Sequence, residues 1–126
     1  MVKGILKQNN VHLQEHEFAT VRLLLEKGYD VELIPPIQAK GVSNTDIYIN
    51  AIPWELKAPQ GDGKNTIRHT MQNAGHQSSS AIVDLRRCKL SQEQAIKELK
   101  YYFKLSKRLK RLMVVTRDNE LLDISK

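Results

Sequence analysis

The chain has 126 residues, 40% of them hydrophobic and 27% charged, with a formal charge of +6 and a pI near 9.5. That length suits one domain with a proper core, and the composition is that of a soluble globular protein rather than a disordered or membrane-spanning one. A single cysteine, Cys88, excludes an internal disulfide framework and a cysteine-based metal knuckle, and Met1-Val2-Lys3 leads into polar sequence rather than a signal peptide. The positive excess suits an anionic partner, and it is local: residues 97–111 hold seven of the twenty Lys and Arg against one acid, Glu98.

Residues 1–12 read as a polar N-terminal extension in which Gly4-Ile5-Leu6 either adds an edge strand or belongs to a linker. From Leu13 to Lys27 the apolar spacing turns helical, with Phe18, Val21, Leu24 and Leu25 on one stripe and Gly28 placed to end the helix. Glu17 lies on or beside that stripe. A lone carboxylate there is costly unless it is paired or metal-bound, or hydrated at the helix start where the macrodipole favours it. The residues leave both readings open, and Glu15 points elsewhere.

Val31-Glu32-Leu33-Ile34 reads as a strand stopped by Pro35-Pro36, and Gly41, Ser43 and Asn44 suit a turn in the loop that follows. Asp46-Ile47-Tyr48-Ile49 and Ile52-Pro53-Trp54-Glu55-Leu56-Lys57 are β-prone runs joined at Asn50-Ala51, which predicts a hairpin. Alternation puts Glu55 and Lys57 on one face and Trp54 and Leu56 on the other. Antiparallel pairing brings Asp46 beside Glu55 and Lys57, so two carboxylates and a lysine meet at one sheet end. Two carboxylates a few ångströms apart repel unless a cation sits between them, and Mg²⁺, or another hard divalent ion, answers that need.

Ala58 to Lys64, with Pro59, Gly61 and Gly63, reads as a mobile loop beside this site, either closing over substrate or simply connecting. Asn65 to Ala74 predicts a helix with Ile67 and Met71 on one face, ended by Gly75-His76-Gln77. Ser80 to Leu85 is a buried-type strand. His69 and His76 share a face only if the helix runs past Gly75, and no cysteine or acid is spaced to complete a zinc site with them. Ser91 to Gln94 has the pattern of a capping box and opens a long helix with Ala95, Leu99, Tyr102 and Phe103 buried. Lys97, Lys100, Lys104, Lys107, Arg108 and Arg111 recur at helical spacing on its other side, as a track for a phosphate backbone or as a solvated face. Leu112 to Thr116 and Leu121 to Ile124 close the chain as strands about an Asp118-Asn119 turn.

Asp46 followed by Glu55-Leu56-Lys57, in the order helix, three strands, helix, strand, resembles the active-site motif of the PD-(D/E)XK nuclease superfamily, with Thr45 where its proline usually stands. The resemblance implies an α/β, restriction-endonuclease-like αβββαβ core over about residues 14–86, with a helix and strands added over 91–124. It implies further that Asp46 and Glu55, joined by Glu17, bind the metal, that Lys57 is catalytic, and that Gln77 reaches the site from before the fourth strand. Over most of its length the chain is also similar to the C-terminal nuclease domains of CdiA-type contact-dependent growth-inhibition toxins, through Glu17 to Gly28, Asp46 to Asn50, Trp54 to Lys57, Gln77 and Ile82 to Leu85. That similarity implies a tRNA-cleaving toxin acting in the cytoplasm of a target cell and neutralised by a cognate immunity protein, with no membrane partner. The same site would serve a DNA endonuclease, and a non-catalytic nucleic-acid-binding module of this fold is the reading from another class.

Overall fold

The computed structural model describes residues 3–35 and 45–126. Pro36 and the expected turn residues Gly41, Ser43 and Asn44 lie outside the described residues.

Among the described residues three helices and seven strands follow one another as β1 (Leu6–Lys7), α1 (Glu15–Glu26), β2 (Val31–Leu33), β3 (Ile47–Ile49), β4 (Ile52–Lys57), α2 (Thr66–Gln77), β5 (Ser80–Asp84), α3 (Gln92–Leu105), β6 (Arg111–Val115) and β7 (Leu121–Ile124). The strands form one mixed sheet in chain order. β1 runs parallel to β2, and β4, β5 and β6 run parallel to one another; the other neighbours are antiparallel. The two parallel steps at the centre are bridged by α2 and α3, as a parallel pair requires a long crossover. Among the described residues no helix is long and apolar enough to cross a membrane.

Each face of the sheet has its own core. On one, Ala81, Val83, Leu112 and Val114 pack against Ile67, Met71 and Ala74 of α2 and Ala95, Leu99 and Phe103 of α3. On the other, Trp54, Leu56, Ile82, Met113 and Val115 pack with Val21, Leu23 and Leu24 of α1. Successive residues of β5 and β6 thus alternate between two buried faces, which is why those strands read as continuous apolar runs.

Two helix ends and one loop differ from what the sequence predicts. Helix α2 continues through Gly75 to Gln77: Gly75 does not take a positive φ, and the Ser78 N–H donates to the Ala74 carbonyl at 3.0 Å to close the last turn. Helix α3 stops at Leu105 with Ser106 as its C-cap, so Lys107, Arg108 and Arg111 are not on it. The 58–64 loop is tied down: Arg87 Nε donates to the Ala58 carbonyl at 3.0 Å, and Cys88 Sγ lies 3.6 Å from the Gly61 carbonyl.

Candidate active site

The site is built on the β3–β4 hairpin. Asn50 and Ala51 have φ of 51° and 66°, the paired left-handed torsions of a two-residue turn whose twist matches its flanking strands. That turn fixes the register Ile47 opposite Trp54, which sets Asp46 across from Glu55. Trp54 and Leu56 face the α1 side, so Glu55 and Lys57 face α2.

Asp46 Oδ2 accepts the backbone N–H of Leu56 at 2.8 Å, which holds its carboxylate against the strand that carries Glu55. Glu55 is only 2% exposed. Burial pushes its carboxyl up to about 9, and the hydrogen bond and negative charge of Asp46 push the same way. Lys57 Nζ, 3.4 Å from Glu55 Oε2, pulls it down without cancelling the rise. Glu55 therefore keeps its proton at neutral pH in the absence of a cation.

Gln77 comes to the same point from the last turn of α2. With its amide nitrogen inward it donates to Glu55 Oε1 at 3.2 Å and also to Oε2. It can do so because α2 runs past Gly75. Gln77 is exposed and Lys57 partly so, which gives the acid pair an open side.

The structure does not bring Glu17 to this group. Its Oε1 accepts the backbone N–H of Gln14 at 3.0 Å, closing a capping box at the start of α1, on the opposite face of the sheet. His69 and His76 do share α2, but among the described residues no three His, Cys, Asp or Glu side chains group to hold a metal. Of the basic residues, Lys97, Lys100 and Lys104 line the exposed side of α3. Lys107 and Arg108 lie in the turn after it, and Arg111 opens β6. The six do not form one helical stripe.

One charged cluster has no counterpart in the sequence reading. Asp84, 3% exposed, accepts Thr20 Oγ1 at 2.6 Å, Arg86 Nη2 at 2.7 Å and the Arg86 backbone N–H at 3.0 Å. It clips α1 to the end of β5. Its only sequence signal is an acid closing an apolar run two residues before an arginine.

Fold and site together define a mixed α/β protein that holds a half-buried aspartate, a buried glutamate, a lysine and a glutamine at one hairpin. Residues 43–121 match the model of the contact-dependent growth inhibition CdiA C-terminal domain, and the chain belongs to that family of toxin domains. Its fold is similar to that of a solved CdiA-CT/CdiI toxin and immunity complex from Burkholderia pseudomallei, with a TM-score of 0.73 at 19% identity over 98% of this chain and 100% of that one. No curated protein sequence matches the chain.

Proposed function

We propose that this toxin domain is a metal-dependent nuclease of the PD-(D/E)XK type, acting on RNA and foremost on tRNA. The observation that carries the reading is the Asp46–Glu55 pair, its glutamate buried and its aspartate half-buried, with Lys57 Nζ 3.4 Å from Glu55 Oε2. Two carboxylates held together by backbone geometry, one pushed up to about 9, make a costly arrangement that a hard divalent cation such as Mg²⁺ relieves. The donor set fits that ion: Asp46 and Glu55 would hold it, with water completing its shell. Bound there, it supplies acidification of a water molecule and neutralisation of charge on the scissile phosphate.

The protein groups do the rest. Asp46 is pinned by the Leu56 N–H, so its free lone pairs keep one direction. Gln77 fixes the plane of the Glu55 carboxylate. Lys57, on the same strand face and partly open to solvent, is placed to donate to a phosphate oxygen as negative charge builds on it. Glu17, engaged in its own helix cap, has no part in this scheme. The choice of tRNA rests on the likeness to CdiA-type toxin domains, and a cognate immunity protein is proposed from the likeness to a toxin and immunity complex.

The test is incubation of the purified chain with total tRNA and, separately, plasmid DNA, each with Mg²⁺ and with chelator, beside Glu55→Gln and Lys57→Ala. Cleavage of tRNA in Mg²⁺, lost in chelator and in Glu55→Gln, is the expected result, with Lys57→Ala slower by roughly a hundredfold or more. Full activity in chelator or in Glu55→Gln would overturn the assignment. Cleavage of DNA instead would keep the site and change the substrate.

A further inference from the structure

On the face opposite Glu55, one residue away along β4, lies a cavity of about 470 Å³. Its walls include Tyr29, Trp54 and Met113, and its rim carries Lys110, Arg111 and Asp123. An aromatic and thioether floor beneath a mostly cationic rim is complementary to a flat, anionic ligand, and the volume lies in the range of small-ligand sites. Arg111 is exposed, and among the described residues its guanidinium has no ion pair. Lys110 donates its ammonium to the Lys107 carbonyl at 2.9 Å, which holds it on the same turn.

The turn that supplies these cations also reaches the catalytic face. Arg108 Nη1 lies 3.1 Å from His76 Nδ1 on α2, next to Gln77. Lys110 and Arg111 donate their backbone N–H groups to the Ser79 carbonyl, between α2 and β5. Residues 107–111 therefore form a basic ridge over the end of the sheet, from the helix that carries Gln77 to the cavity behind it.

We propose that this cavity is a nucleotide subsite. It takes an unpaired base of the nucleic-acid substrate against Trp54 and Tyr29 and that nucleotide's phosphate on Arg111, while the strand crosses the ridge to the acid pair. This deepens the nuclease reading and rests on its choice of a nucleic-acid substrate. Unpaired bases stacked on aromatic side chains are the usual handle by which RNA is held.

Trp54 is the only tryptophan and lines this cavity, so its fluorescence responds to an occupant there. Titration of the intact chain with adenosine 5′-monophosphate should quench it saturably, ribose 5-phosphate should not, and Arg111→Gln should weaken the quench by roughly tenfold, the loss of one charged hydrogen bond. The exposed position of Arg111 leaves the fold intact in that variant. Glu55→Gln should bind the mononucleotide as wild type does, so a failed nuclease assay and a failed subsite are told apart. Absence of a saturable quench, or one that Arg111→Gln leaves unchanged, overturns the proposal.

Discussion

Asp46 reaches across the hairpin to the backbone N–H of Leu56 at 2.8 Å, so the aspartate is held beside Glu55 by the neighbouring residue of the same strand. The aspartate cannot swing away to relieve the repulsion. The repulsion is built into the backbone, and it becomes a measurable property of the folded state.

Without a divalent ion, stability should fall as pH rises. Unfolded Glu55 releases its proton near the ordinary 4.5, whereas folded Glu55 keeps it to about 9. Between those values folding takes up a proton, so its contribution is full below 4.5 and is lost as pH climbs through about 9. Thermal melts in chelator across that window should show a declining midpoint. Mg²⁺ should restore it most at the basic end, and Glu55→Gln should flatten the profile. A wild-type profile as flat as that of the variant would contradict the geometry.

The hairpin turn holds a residue ill suited to its torsions. Ala51 has φ of 66°, where a Cβ is penalised by roughly 1–2 kcal/mol, more than the added chain entropy of glycine. Ala51→Gly should therefore stabilise the protein by about 0.5–1 kcal/mol, seen as a higher denaturant midpoint at unchanged slope. A lower midpoint would show that the methyl group makes contacts that outweigh the torsion.

Asp84 and Arg86 should behave as a buried pair, because their side chains are only 5% and 25% exposed. Arg86→Leu leaves the carboxylate with Thr20 and one backbone N–H, at a cost of about 3 kcal/mol. Adding Asp84→Asn removes the stranded charge and should recover much of that loss. Chemical denaturation of the two variants decides the point: a double variant less stable than the single one would count against a stranded charge as the cause.

What the sequence disclosed depended on how local the cause was. The alternation Trp54, Glu55, Leu56, Lys57 and the Asn50-Ala51 turn are contained within a dozen residues, so the hairpin and its acid pair were readable. Glu17 was not, because its position on the helix fits a buried site and a cap equally, and its partner is the N–H of Gln14. The length of α2 was hidden by Gly75, a residue that local preference reads as a stop and tertiary packing overrides. The clip between Thr20 and Asp84 spans 64 positions and leaves no periodic trace. The basic residues kept helical spacing past Leu105, yet Ser106 turns the chain and sends the last of them to the end of the sheet.

The parallel step between β4 and β5 has a consequence for the order of events in time. Asp46 and Glu55 are brought together by a hairpin, a contact of short loop length that forms early and quickly. Gln77 arrives only when α2 has formed and β5 has found β4, a pairing that must first close a loop of more than twenty residues. A chain refolding from an extended state should gather its acids first and orient them last, so recovery of any activity at this site should lag behind recovery of strand signal.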